Sequence, residues 1–224
     1  MDNLKTEIIT DEMGKIDLSF KIIIIGDSGV GKSSLTLKAT KDKFQDFYTA
    51  TVGFEFFSFN IKINDTIIKL QIWDTCGQEI YRSLISSFYK NSALAMVVYS
   101  IDNKASFQHI DYWIKELKNE SNPDTKIILI GNKSDLEDKR SVSEEEAKQF
   151  AMDNEITEVF ESSAKTGFNA KNIFIKAAKI LYKEHIKYQS LSKGPNKLTY
   201  GDNLNKSKLL PTPKEQEEKK KGCC

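Results

Sequence analysis

"FKIIIIGDSGVGKSSL", residues 20–35, runs from an uninterrupted apolar segment into three glycines, a lysine and three serines. A short strand with no polar alternation is the mark of a parallel strand buried on both faces. Residues 26–33 carry the full G-x-x-x-x-G-K-[ST] pattern, with that strand before it and a helical segment after it. Gly26, Gly29 and Gly31 let backbone N–H groups turn inward around phosphate oxygens, where a side chain would block the approach. Lys32 sets a point charge against the β- and γ-phosphates, and the Ser33 hydroxyl is a candidate Mg²⁺ ligand. Ser28, Val30 and Ser34 complete the cradle, and the start of the next helix adds its partial positive charge. The stretch predicts a site for a nucleoside triphosphate and its Mg²⁺.

Beyond this stretch the chain alternates short apolar runs with helix-like segments: "LAMVVYS", "KIILIG" and "EVFES", with helices near 104–118, 144–153 and 169–186. That alternation predicts an α/β fold, a mostly parallel sheet with helices on both faces. One pair of runs differs. "FFSFNIKI" and "TIIKLQIW" alternate apolar and polar residues across Asn64-Asp65, which predicts an antiparallel hairpin at one edge. Period-two alternation puts Phe57, Phe59, Ile61 and Ile63 on one face, and Ile68, Leu70 and Ile72 on one face of the partner strand. These faces are assigned to the core. Phe56 and Trp73 then stand as large aromatics on otherwise polar faces, a candidate docking patch. Ser143 and Glu146 have capping-box spacing for the helix beginning there.

Three further stretches carry chemistry. "GNKSD", 131–135, sits at the C-terminal end of an expected parallel strand, where open α/β sheets place ligands. Asp135 can accept from a guanine's N1–H and N2–H₂, a pair adenine lacks, and a site built on such a pair rejects the analogue without it. Asn132 is expected to reach the opposite edge of the base and the Lys133 stem to cover its ring. In "SAK", Ser163, Ala164 and Lys165, the Ala164 amide is a candidate donor to the guanine O6. In "WDTCGQE", 73–79, Asp74 is placed to hold magnesium through water, Gly77 to offer an N–H to the γ-phosphate, and Gln78 to orient the attacking water. Thr51, between hairpin and glycine-rich loop, can add a hydroxyl to the metal when a γ-phosphate is present.

Composition narrows the class. Lys and Arg number 33 against 32 Asp and Glu, so global charge predicts no nucleic-acid partner. One internal cysteine, Cys76, and a terminal pair make no disulfide framework, which favours a reducing compartment. The first 17 residues read as a loose polar leader with no apolar signal, and Asp2 after Met1 excludes N-myristoylation. Residues 187–224 hold nine lysines against four acids and end in "KKKGCC", which reads as a basic unstructured tail. The expected domains are therefore a leader, 1–17, a folded domain, 18–186, and the tail, 187–224.

Taken together, "GDSGVGKSSL", "TVGFEF", "KLQIWDTCGQE", "GNKSDLEDKRSVSEEEAKQFA" and "ESSAKTG" resemble, in order, the motifs of Rab-type small GTPases of the Ras superfamily. The resemblance covers about Phe20 to Tyr182. It implies the P-loop NTPase fold known as the Ras-like G domain, here a six-stranded sheet with one antiparallel edge hairpin. It implies GTP and GDP as ligands, slow GTP hydrolysis, and a role as a membrane-anchored switch in vesicle trafficking. Phe44 would stack on the guanine, Tyr48 would close over the phosphates, and residues 44–56 and 75–91 would be the switches. Phe88 would join Phe56 and Trp73 as a third ring of an effector patch. Cys223 and Cys224 resemble a double geranylgeranylation site; two lipid chains hold a protein firmly to a membrane where one holds it marginally. The implied partners are an exchange factor, a GTPase-activating protein, effectors, and escort and dissociation-inhibitor proteins, met by a monomer on the cytoplasmic face of endomembranes. Cys76, Ile80 and Ser100 depart from the usual pattern. Of the two arginines, Arg82 lies in the second switch and Arg140 near the base-side loops, so no arginine finger is expected in cis. A P-loop nucleoside or nucleotide kinase would leave "NKSD" unexplained and would need lid arginines. A Ras-type signalling protein would share the chemistry and differ in its lipid.

Overall fold

A computed structural model describes residues 4–9, 15–45, 51, 53–77 and 88–192. Its sheet is built from β1 (Thr6–Ile9), β2 (Leu18–Ile25), β3 (Phe54–Ile63), β4 (Thr66–Thr75), β5 (Leu94–Ser100), β6 (Lys126–Asn132) and β7 (Glu158–Glu161), in the order β1-β3-β4-β2-β5-β6-β7. β2 pairs in parallel with β4 and β5, and β5–β6 and β6–β7 are parallel too. β3 and β4 form the antiparallel hairpin, Ile63 opposite Thr66, with Asn64 in the left-handed region at φ 54°. Asn tolerates that conformation better than most residues. Helices α1 (Lys32–Lys41), α2 (Lys104–Gln108), α3 (Ile110–Glu120), α4 (Glu144–Asp153) and α5 (Ala170–Ser192) complete the described elements, with a 3-10 turn at Ser134–Lys139.

Strand alternation sorts the side chains into two cores. Ile22, Ile24, Met96, Val98, Ile128 and Ile130 face one layer, with Leu35 of α1 and Phe174 of α5. Ile23, Ile25, Val97, Tyr99 and Leu129 face the other, with Phe107, Trp113, Leu117 and Ala147 from α2, α3 and α4. The hairpin residues assigned to the core, from Phe57 to Ile72, are buried as expected. The Ser143 hydroxyl caps α4, accepting the Glu146 amide at 3.1 Å.

The sheet differs from expectation in one strand. The leader contributes β1, which pairs antiparallel with β3 from Thr6 opposite Ile63 to Ile9 opposite Asn60, so the sheet has seven strands and not six. β3 is the outer strand of the hairpin, and its free edge offers the unpaired backbone groups that a passing segment of even modest β-propensity can take up. The final helix runs on to Ser192, past the expected boundary at 186. The chain divides into two units, Met1–Lys183 and Glu184–Cys224; in the second the described part is the end of α5, where Gln189 Nε2 lies 2.8 Å from His185 Nε2.

Candidate nucleotide and metal site

β2 delivers the glycine-rich loop to the C-terminal edge of the sheet, and Lys32 opens α1 directly behind it. The Lys32 ammonium is buried and donates to the backbone carbonyls of Gly26 and Asp27, both at 2.8 Å. Burial pulls its pKa down to about 8, against the opposing pull of Asp74 and Asp27. A buried cation held only by neutral carbonyls is costly unless an anion arrives.

Ser33, Thr51 and Asp74, separated widely along the chain, meet beside it. Ser33 Oγ donates to Asp74 Oδ2 and lies 2.7 Å from Thr51 Oγ1. Asp74 is fully buried at the end of β4, and burial pushes its pKa up to about 6. Its other oxygen, Oδ1, has no hydrogen-bond partner. Two hydroxyls and one carboxylate with an unmet oxygen are the hard donor set that suits Mg²⁺, which characteristically takes one or two protein carboxylates and completes its octahedron with water and substrate phosphates. The residues present fit that ion.

Two glycines are dictated by close approach. A Cβ on Gly77 would lie 2.4 Å from the Asp27 carbonyl carbon and from the Ser28 nitrogen, so the loop after β4 rests on the backbone of the phosphate loop. Gly31, at φ +95°, would place a Cβ 2.4 Å from the Asn132 side-chain nitrogen. Cys76 donates its backbone N–H to the Gly53 carbonyl at 3.0 Å, joining the two segments that flank the site.

The base side is held together by hydrogen bonds within the protein. Asn132 is buried, and both ends of its amide are engaged within the protein. Its Nδ2 donates to Val30 O at 2.9 Å and Gly31 O at 3.4 Å; its Oδ1 accepts from Ser162 Oγ at 3.2 Å and the Ala164 amide at 3.3 Å. Asn132 ties the phosphate loop to the base loops. Ser163 Oγ donates to Asp135 Oδ1 at 2.6 Å, which leaves the second Asp135 oxygen for a ligand and orients the carboxylate. Lys133 adopts the left-handed region at φ 65°, which turns the chain from β6 into the 3-10 segment that carries Asp135. Arg140 is locked by paired hydrogen bonds to Glu161, at 2.6 and 2.8 Å, and to Glu137, at 2.7 and 2.8 Å. It is therefore a brace for this loop and no mobile arginine. Phe44 is half-buried and packs against the first core. Tyr48, Gln78, Arg82, Cys223 and Cys224 lie outside the described residues.

The aromatic patch holds a ring beyond those read from the sequence. Phe54, two residues before Phe56 on the same face of β3, packs at 5.3 Å from Trp73 and 4.5 Å from Phe88. Phe56 lies 5.3 Å from Trp73, and Trp73 lies 5.1 Å from Phe88. Lys21 sits 5.7 Å over Trp73 and 5.8 Å over Phe88, in reach of a cation–π contact. Phe54 and Phe56 remain 39% and 47% exposed. The two-residue spacing from Phe56 is the sequence signal for Phe54.

The Ras family model matches residues 21–183. Ras-related protein RABF2a of Arabidopsis thaliana is 44% identical over 168 residues, 75% of this chain and 84% of the relative. Ras-related protein RABF2b of the same plant is 42% identical over an equal span.

Proposed function

The chain belongs to the Ras family of small GTPases, and from that premise we propose that it is a Rab-type switch whose state is set where the phosphate loop meets Asp74. It binds guanine nucleotide and hydrolyses GTP, and its activity belongs to vesicle trafficking. The observation that carries the reading is the meeting of Ser33, Thr51 and the unmet Asp74 oxygen beside the buried Lys32. The Asp74 carboxylate and the Lys32 ammonium each bear a cost of burial that a metal-bound triphosphate would offset.

In this reading Ser33, Thr51 and Asp74 hold Mg²⁺, which when bound would neutralise charge on the phosphates. Lys32 transfers its hydrogen bonds from the loop carbonyls to phosphate oxygens. Gly77, lying on the backbone of residues 27–28, brings its own N–H to the γ-phosphate, and Gln78 orients water. Asp135, aimed by Ser163, accepts from the guanine edge, while Asn132 holds the loops of base and phosphate at fixed separation. Thr51 and Gly77 stand on either side of the γ-phosphate, so hydrolysis releases both flanking segments together. Those segments border the ring patch of Phe54, Phe56, Trp73 and Phe88. Effectors dock on these rings, and Trp73→Ala should lose GTP-dependent partners without losing nucleotide. The kinase alternative is weakened by Arg140, which is committed to two glutamates.

No helix among the described residues is long and apolar enough to cross a membrane. Attachment to endomembranes through lipid on Cys223 and Cys224 belongs to the same proposal, and Cys-to-Ser replacement at both should move the protein to the soluble fraction. Two measurements test the core of the reading. Nucleotide extracted from the purified protein should be guanine nucleotide, and single-turnover phosphate release should collapse in Gln78→Leu while affinity holds. Adenine nucleotide in the extract, or wild-type release from the variant, would overturn it.

A further inference from the structure

The second residue of the glycine-rich loop, Asp27, is gripped by a helix that contributes nothing else to the site. His109 closes α2 and opens α3 while staying in the helical region, at φ −75° and ψ −8°. Its amide donates to Ala105 O at 3.0 Å and its carbonyl accepts the Trp113 amide at 3.2 Å, so His109 and Trp113 stand one turn apart on one face. That face meets Asp27. Trp113 Nε1 donates to Asp27 Oδ1 at 2.8 Å, and His109 Nδ1 lies 2.7 Å from Oδ2. A carboxylate only accepts, so the imidazole carries its proton on Nδ1. Each oxygen of the carboxylate thus has its own donor.

The position of Asp27 gives this clamp consequences. Its carbonyl holds Lys32, and its backbone is the surface on which Gly77 rests. Its charge is felt at the Lys32 ammonium, second among the carboxylates after Asp74. Left unheld, the Asp27 carboxylate would compete with phosphate for that ammonium and repel the phosphates themselves. The indole is fixed in the second core, whereas the His109 side chain is 61% exposed and reaches Asp27 from the surface.

We propose that His109 and Trp113 are positioning residues for the nucleotide site, acting through Asp27: they hold its carboxylate against α3 and away from Lys32 and the phosphates, and so set the rate at which nucleotide leaves. The inference rests on the proposed binding of guanine nucleotide.

The experiment tracks release of fluorescently labelled GDP from the full chain, in Mg²⁺, on chasing with unlabelled GDP. His109→Leu removes one hydrogen bond to a charged group and should speed release about tenfold. His109→Asn keeps a donor at the reach of Nδ1 and should stay within about twofold of wild type. Trp113→Phe, which keeps the ring in the core, should match His109→Leu. In an Asp27→Ala background the same two substitutions should change release by less than about twofold, because the group they restrain is gone. Equal acceleration with and without Asp27, or equal behaviour of Leu and Asn at 109, would show that the helix acts by packing and would overturn the proposal. Should Asp27→Ala hold no nucleotide, the contrast between Leu and Asn at 109 decides alone. Failure of the wild-type protein to hold labelled GDP would count against the guanine-nucleotide reading itself, a separate result.

Discussion

The two ends of the nucleotide site are built on opposite plans. At the phosphate end, Lys32 is a buried cation resting on neutral carbonyls and Asp74 is a buried carboxylate with one oxygen unmet. Both pKa values are displaced toward neutrality, chiefly by burial. At the base end the polar groups are already spent on one another: Asn132 on Val30, Gly31, Ser162 and Ala164, Ser163 on Asp135, Arg140 on two glutamates. One end holds its valences open at a cost in stability, and the other is braced before a ligand comes, with one Asp135 oxygen left open. A switch needs both, a fixed frame to recognise the base and an unsatisfied pole whose energy depends on the number of phosphates present.

The contrast can be broken at either end. The largest effect belongs to Lys32→Ala. Nucleotide affinity should fall on the order of a thousandfold, roughly 4 kcal/mol, by titration with labelled GDP. The same variant stripped of nucleotide should melt no lower than wild type, since a costly buried charge is gone; a marked loss of stability would mean that Lys32 is structural.

Next comes Asn132→Ala, which orphans buried groups on two loops at once. Its cost should appear in the nucleotide-free protein, about 3 kcal/mol by urea unfolding. Asp135→Asn should barely alter stability and instead move base preference from GTP toward xanthosine triphosphate. If the two variants behaved alike, the separation of frame from recognition would be lost.

Asp74→Asn gives a smaller effect whose sign depends on pH. The folded pKa is raised from 3.8 to about 6, so the contribution of Asp74 to stability is full below about pH 4 and is lost as pH rises through 6. Stripped of nucleotide and metal at pH 7.5, Asp74→Asn should therefore be more stable than wild type, by roughly 2–3 kcal/mol at most. The gap should close as pH falls from 7.5 to 4, and with Mg²⁺ and GTP the order should reverse. A gap that ignores pH would remove burial of the charge as its cause. The smallest effect is expected from Arg140→Lys, about 1 kcal/mol of stability with guanine preference kept, since a lysine cannot reproduce two paired contacts.

How much of the molecule is legible in its sequence depends on the range over which each signal acts. Alternation along β3 and β4 is local, and it assigns every core residue of the hairpin. The Ser143 cap is local in the same way. Asn132 is legible as a site residue by its place at the end of β6, but residue type does not give the direction of an amide, and the structure turns it toward the phosphate loop. The clamp on Asp27 joins residues 82 and 86 positions apart, and nothing in "FQHIDYW" announces a partner at that distance. β1 is hidden for a different reason. Four residues, TEII, carry too little pattern to be a strand by themselves; they become one because β3 presents an edge.

That edge strand also imposes an order of events during synthesis. Thr6–Ile9 leaves the ribosome early, yet the strand it joins, Asn60–Ile63, emerges roughly fifty residues later, several seconds at ordinary elongation rates. Until then the leader has no described partner in the sheet, and the glycine-rich loop and α1 have already been made. β1 is thus translated before the strand it joins and seated after it, added to the outside of a hairpin whose outer strand must exist before it can be capped.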